Sequence, residues 1–498
     1  MWKTYEAASP DVVHAAVLRA RKAQSAWAAK PLAERAACIE RFRKLLLQRR
    51  DDVISVIQRE TGKPRVEALT EVLGGLNFAR FNCREAPKLL KTQAYRAATF
   101  AMIRKTVRVT YEPYGVIALI TPWNYPFLLS SGVLLPALIS GNAVLLKPSE
   151  YTPGTGVMLG ELMAEAGLPE GVLTVLPGDG TTGAALINES LDKVFFIGSG
   201  ATGRKIAIDC AERMIPCVLE LGGSDPAIVL ADADLDYAAL GIAWGRCINA
   251  GQTCVAPKRV FVEGAVYDKF VEKLVARINQ LRVGSGDVEV GPLIRESQAA
   301  ALRQQFNDAV FRGARSLTQP PANLSGNANV FLPIVLLDVA ADSKVLCEET
   351  FGPLLPVVRV RDADEAVQRA NESSYGLSAS VWATDITRAL AVAARLQAGS
   401  VMINDSVFVA GMADVPYGGV KASGMGRSHG TAGLLECVQT KTYVIDPWAH
   451  WRQAYWYGYS PKMTAGMDDY AVFEHGSGIL RRLISGLRAV KALYFGRD

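Results

Sequence analysis

Gly115–Glu150 reads GVIALITPWNYPFLLSSGVLLPALISGNAVLLKPSE. GVIALITP is a short β-branched run, the pattern of a parallel strand covered on both faces. LLSSGVLLPALIS follows with helical character, and NAVLLKPS is strand-like again. Further strand runs come at GVLTVLPG, KVFFIGS and DPAIVL, with helical segments such as GTGVMLGELMAEAG between them. Strand and helix alternate, so the expected fold class is α/β with a mainly parallel sheet.

Outward from this stretch the pattern changes twice. Towards the N-terminus, VRVTYEP alternates as a strand. Before it, AAVLRARKAQSAWAA and AERAACIERFRKLLLQRRDDVISVIQRE place apolar residues three and four apart, as amphipathic helices do. Towards the C-terminus a second α/β region starts after Gly223. YDKFVEKLVARINQL and DEAVQRANES read as helices, FLPIVLLDV and LLPVVRV as strands. Residues 319–329 are rich in Pro, Asn and Gly and read as a surface excursion.

At 498 residues, half of them hydrophobic, the chain is too long for one ordinary core, and two or three domains are expected. The net charge of +5 is small for this length, and no basic run with interleaved aromatics favours nucleic acid. Eight scattered cysteines without a CxxC pair, and only four histidines, argue against a zinc site and for a reducing compartment. The N-terminus shows neither a secretion nor a transit pattern, so a cytoplasmic location is expected. The longest apolar region is broken by Pro122, Asn124, Pro126, Pro136 and Asn142, well short of a membrane span.

Several residues could carry chemistry. Cys254 in NAGQTCVAP has small neighbours that leave a thiol accessible, although a lone Cys is ordinarily a buried structural one. Glu220 in LELGGSDP ends an apolar strand, where a carboxylate must be paired, solvated or shifted in pKa. Asn124 in TPWNYPF lies in a loop stiffened by two prolines, which can aim an amide at a fixed point. Lys147 ends a strand, where ligands of α/β sheets bind, and Glu150 follows it. FFIGSGATG offers Gly198, Ser199 and Gly203 at a strand-to-helix turn suited to a dinucleotide, without the full GxGxxG spacing.

Taken together, TPWNYP, GNAVLLKPSE, FFIGSGATG, LELGGSDP, NAGQTC, EETFGP and PYGGVKASGMGR closely resemble the aldehyde dehydrogenase superfamily. The resemblance implies a Rossmann-like cofactor domain (1–94 and 114–222) and an α/β catalytic domain (223–422). It also implies oligomerisation strands (95–113 and 438–447) and leaves 448–498 as an extension. It implies Cys254 as the nucleophile that carries a thioester, Asn124 as oxyanion donor and Glu220 as the base that hydrolyses the thioester. Lys147, Glu150, Gly198, Ser199, Gly203, Trp123, Glu349 and Phe351 are the implied cofactor contacts. Glu150 favours NAD, with NADP admitted, because a carboxylate there repels a 2′-phosphate. The implied partners are a small-molecule aldehyde and further copies of the chain, as a homodimer or homotetramer, without nucleic acid or metal. Tyr417 and the segment Asp405–Asp414 are expected to shape the mouth of a substrate tunnel. A rival reading pairs Cys254 with His429 as a hydrolase.

The tail after Asp446 departs from the common pattern. AHWRQAYWYGY is dense in aromatics. ILRRLISGLRAVKALYF sets Leu480, Leu483, Leu487, Val490 and Tyr494 on one side and Arg481, Ser485 and Arg488 on another. Three roles suit it: an extra packed helix, a gate over the tunnel, or a basic amphipathic helix making peripheral contact with a membrane. The last two fit a medium- or long-chain apolar aldehyde.

Overall fold

A computed structural model of the chain describes residues 3–96, 99, 105–318, 329–448, 453 and 456–495. Contacts divide it into two units, Met1–Leu89 with Pro113–Gln439, and Leu90–Glu112 with Thr440–Asp498.

In the first unit the N-terminal runs form helices Pro10–Ala29, Leu32–Gln48, Arg50–Thr61 and Arg65–Leu89. Ser9 caps the first by accepting the Val12 amide, and Pro10 opens it, where a missing N–H costs nothing. The second expected run divides at Arg49 (φ −99°, ψ 20°) into two helices.

One sheet has the order Cys217–Glu220, Lys193–Ile197, Val116–Ile120, Ala143–Lys147, Leu173–Val175, all parallel, with Gly424–Met425 antiparallel on the Cys217 edge. Every residue of Val116–Ile120, Ala143–Lys147 and Lys193–Ile197 is buried, which is why these strands read as unbroken apolar runs rather than alternations. Val116–Ile120 and Lys193–Ile197 are neighbours, although two strands separate them in sequence. The order of strand addition reverses there, and ligands of such sheets bind at that reversal, beyond the C-terminal strand ends. Thr121–Asn124 leaves one of these strands and Gly198–Ser199 the other.

A second sheet has the order Arg315–Ser316, Ile334–Leu337, Leu354–Val360, Pro257–Glu263, Asp225–Val229, Ser378–Trp382, Ser400–Ile403. Only the short first strand is antiparallel. The first strand after Gly223 is Asp225–Val229. Of the expected surface excursion, residues 319–328 lie outside the described residues.

In the second unit, Gln93–Arg96, Thr106–Pro113 and Val438–Ile445 make a three-stranded sheet. Helices Pro461–His475 and Ile479–Val490 follow, packed on each other around Met463 and Ala489. A Cβ on Gly486 would lie 2.6 Å from the Phe473 ring, so the glycine that weakens this helix is what lets the pair approach. The packed face of Ile479–Val490 holds Ser485 and Ala489, and its leucine side faces outward.

Candidate active site

Helix Leu235–Cys247 runs into a tight turn in which Asn249 (φ 53°, ψ 36°), Ala250 (φ 53°, ψ 33°) and Gly251 (φ 73°) are all left-handed. Each non-glycine residue in that region costs about 1–2 kcal/mol. The surroundings hold them there. The Asn249 amide donates to Glu67 Oε1 at 3.0 Å, and its Nδ2 donates to the carbonyls of Asn124 (2.9 Å) and Gln252 (3.2 Å). A Cβ on Gly251 would lie 2.4 Å from the Gly352 carbonyl carbon, so only glycine lets this turn meet the Phe351–Pro353 loop. The turn delivers Cys254, half-buried, to a cavity of about 360 Å³. Asn124, Glu220, Ser199, Glu349, Phe351 and Tyr417 line the same cavity.

Burial pushes the Cys254 thiol up to about 11; a hydrogen bond from Tyr417 and the charge of Lys258 oppose this. The Tyr417 hydroxyl lies 3.3 Å from Cys254 Sγ. Tyr417 is itself fully buried, so it stands beside the thiol and not at a tunnel mouth. Lys258 Nζ donates to the carbonyls of Thr253 (3.0 Å) and Cys254, fixing the backbone on either side of the thiol. Burial raises Glu220 to about 7, and its Oε1 has no hydrogen-bond partner among the described residues. A group that titrates near neutrality in a cavity can take a proton from water.

Asn124 Nδ2 donates to the Gln252 carbonyl at 3.0 Å. An amide nitrogen has two hydrogens, so one stays available. The Asn124 carbonyl accepts from Lys63 Nζ at 2.7 Å. Lys63 in turn pairs with Glu71 at 2.7 Å, both side chains almost wholly buried. Glu71 Oε2 accepts the amides of Phe127 (3.0 Å) and Leu128 (3.2 Å) at the start of helix Pro126–Ile139. One buried ion pair thus ties the Asn124 loop to the helix that follows it.

On the other side of the cavity, Ser199 caps helix Gly200–Glu212, which has no acidic residue in its first turn and leaves its amides suited to a phosphate. A Cβ on Gly203 would lie 2.4 Å from Leu221 Cδ2, so this glycine lets the helix sit close against the sheet. A Cβ on Gly198 would meet the Phe196 ring at 2.6 Å. Lys147 is buried at its strand end, its Nζ donating to the Pro148 carbonyl at 2.9 Å; burial lowers its pKa while Glu150 and Asp179 oppose. Glu150 is exposed. Glu349 Oε1 accepts the Gly223 amide at 3.2 Å, and burial raises its pKa against the charges of Lys258 and Arg246. Trp123 and Phe351 meet edge to face at 5.5 Å.

The family model described as "Aldehyde dehydrogenase family" matches residues 1–443. The chain belongs to the aldehyde dehydrogenase family. It is 37% identical over 498 residues to a "4,4'-diapolycopene aldehyde oxidase" of Methylomonas sp, covering 99% of this chain and 92% of that one. A Mycobacterium tuberculosis aldehyde dehydrogenase solved with NAD+ superposes with a TM-score of 0.84 at 33% identity, covering 92% of each chain. A Bacillus halodurans NADP-dependent glyceraldehyde-3-phosphate dehydrogenase solved with NADP gives 0.84 at 36% identity, covering 88% of this chain and 91% of that one. The α/β architecture with its Rossmann-like and catalytic parts is that of these neighbours.

Against this family frame, the structure gathers Cys254, Glu220, Asn124, Ser199, Gly198, Trp123, Glu349 and Phe351 around one cavity. Lys147, Glu150 and Gly203 lie outside its lining. Sequence reasoning missed Lys63, Glu67, Glu71, Asn249 and Lys258. Glu67 and Glu71 sit one helical turn apart in an amphipathic helix, where charges ordinarily read as a solvated face. It also missed Arg295, whose guanidinium lies 5.6 Å from the Trp123 ring centre and 4.5 Å from that of Tyr151. Its Nε is buried without a hydrogen-bond partner among the described residues. His429 stacks on Tyr417 at 5.3 Å, and burial lowers it to about 3. A ring held neutral behind Tyr417, with no hydrogen bond to Cys254 among the described residues, does not make the dyad of a hydrolase.

Proposed function

We propose that the chain oxidises an aldehyde to a carboxylic acid through a thioester on Cys254, hydrolysed with Glu220 as general base. The observation that carries this is the shared cavity: a thiol, a buried carboxylate raised to about 7 and an amide with a free hydrogen converge on it. In this reading residues 1–94 and 114–222 hold the cofactor and 223–422 present the thiol.

Cys254 Sγ adds to the aldehyde carbon, its proton passing to water, and a thiohemiacetal forms. Its oxygen is held by the second Asn124 Nδ2–H and the Cys254 backbone N–H; one such donor is worth about 2.7–4 kcal/mol. A nicotinamide dinucleotide, when bound, would supply the acceptor for the hydride that leaves this carbon. The product on the enzyme is the Cys254 thioester. Glu220 then takes a proton from water, the water oxygen adds to the acyl carbon, and the C–S bond breaks to free the acid and the thiol. Tyr417 donates a hydrogen bond to the departing sulfur and keeps its own proton, and the proton taken up by Glu220 returns through solvent to the sulfur.

The residues present fit a dinucleotide. Ser199 and the first turn of its helix suit the pyrophosphate, and Lys147 and Glu150 the adenosine ribose. Glu349 suits the nicotinamide ribose, with Phe351 and Trp123 beside the ring. Glu150 favours NAD. Arg295, a cation on the cavity wall that stacks on Trp123 and Tyr151 and keeps an unpartnered Nε among the described residues, is the feature that admits NADP.

The apolar part of the cavity wall is made by Pro122, Trp123, Leu129, Ile197, Leu221 and Phe351. Such a wall suits a medium- or long-chain apolar aldehyde, in keeping with the polyene aldehyde in the Methylomonas relative's name. Strand residues Gln439–Ile445 are exposed, and an uncovered sheet strand favours a homodimer or homotetramer.

Cys254→Ala tests the reading. Turnover, followed as reduced cofactor with an apolar aldehyde, should fall by about 10⁴-fold or more, with cofactor affinity nearly unchanged. Near-normal turnover would overturn the mechanism.

A further inference from the structure

Helix Ile479–Val490 is built inside out. Its packed face is small, with Ser485 and Ala489 only 6% and 2% exposed. Its outward face carries Leu480, Leu483, Ile484 and Leu487, spaced i, i+3, i+4 and i+7, with Leu480 and Leu487 72% and 74% exposed. That spacing gathers four branched side chains into one stripe. A single exposed leucine is unremarkable, but a contiguous apolar stripe on a helix marks an interaction surface.

The charges say what covers it. Arg481 and Arg488 flank the stripe, and Lys491 continues it one turn beyond Leu487. Residues 476–495 contain no Asp or Glu. Trp456, Tyr457 and Tyr459, just before the helix pair, are also exposed, the last two at 81% and 70%. Leucines bordered by arginine, with aromatics nearby, are the side-chain set of a helix lying in a membrane interface. A basic rim complements anionic headgroups. Among the described residues no helix is long and apolar enough to cross a bilayer, so the contact is peripheral. The tail lies outside the family match at residues 1–443, yet the match to the diapolycopene aldehyde oxidase spans 99% of the chain.

We infer that the leucine face of Ile479–Val490 docks the enzyme on an anionic lipid bilayer, where an apolar aldehyde dissolves. The inference stands on the helix and not on the reading of the active site. It is tested with the full chain and phosphatidylcholine vesicles with or without phosphatidylglycerol. Wild type should pellet with the anionic vesicles, and Leu483→Glu/Leu487→Glu should lower the bound fraction by at least about tenfold. Arg481→Glu/Arg488→Glu should lose the preference for phosphatidylglycerol. Turnover of a short, water-soluble aldehyde should stay at the wild-type rate in both variants. Failure of wild type to pellet, or equal pelleting of the leucine variant, overturns the inference. A leucine variant that changes the solution mass by light scattering also overturns it, because the face is then a contact between copies.

Discussion

Two regions of this chain place side chains against the usual rule. Beneath Asn124, Lys63 and Glu71 are buried as a pair, with Glu67 beside them; on helix Ile479–Val490, leucines are exposed. The first region is a closed circuit. Lys63 satisfies Glu71 and the Asn124 carbonyl, Glu71 satisfies two helix amides, and Glu67 holds the strained turn before Cys254. Lys63 and Glu71 satisfy each other inside the fold, while Glu67, raised to about 7 by burial, keeps Oε2 without a hydrogen-bond partner among the described residues. In the second region Leu480, Leu483, Ile484 and Leu487 stay exposed among the described residues. In the proposed reading, buried polarity serves geometry at the reaction centre and exposed apolarity serves association. The same departure from the rule therefore carries opposite energetic consequences.

The largest effect should come from breaking the circuit. Lys63→Met removes the buried cation paired with Glu71, a change that costs about 3–5 kcal/mol in buried pairs. Thermal and denaturant unfolding should show that loss, and Lys63→Met/Glu71→Leu should recover much of it. A single variant as stable as wild type would mean that the pair holds nothing in place. A middle-sized effect is expected at Tyr417. Tyr417→Phe removes one hydrogen bond to the sulfur, worth about 0.5–1.5 kcal/mol, so kcat/KM should fall roughly three- to tenfold with stability retained. No change in kcat/KM would remove Tyr417 from the chemistry. The smallest effect belongs to the tail. Leu483→Gln/Leu487→Gln should leave unfolding within about 0.5 kcal/mol of wild type, since both side chains are mostly exposed, at 55% and 74%. A loss of several kcal/mol there would show that the leucines are covered after all, and the contrast would collapse.

Much of this was legible in the sequence. Strands buried on both faces must be apolar throughout, so Val116–Ile120, Ala143–Lys147 and Lys193–Ile197 declare themselves. Asn124, Glu220, Cys254 and Glu349 stand in motifs dense enough to point to the family. Glu67 and Glu71 were not legible, because helix charges four apart look the same whether they face solvent or loops brought in from far along the chain, and Lys63 lies in the short link before that helix. Tyr417 could be named but not oriented, since PYGG fixes a turn and not the direction of a hydroxyl. Arg295 sits at the start of a helix, and nothing local says that its guanidinium reaches Trp123. In the tail, the period revealed the two faces of the helix. It could not say which one packs, because small residues can bury a helix as closely as leucines when the partner offers Gly466 and Phe473.

The central claim is that Glu220 hydrolyses an acyl group carried by Cys254, and Glu220→Gln tests it most directly. Wild-type turnover should rise as pH climbs through about 7, where the raised Glu220 loses its proton and becomes able to accept one from water. The variant should lose that rise and fall by about 10²–10⁴-fold in steady state. Mixed with cofactor and aldehyde, then quenched, it should carry on the Cys254 peptide a mass equal to the aldehyde less two hydrogens. Wild-type turnover by the variant, or an adduct on any other residue, would contradict the account.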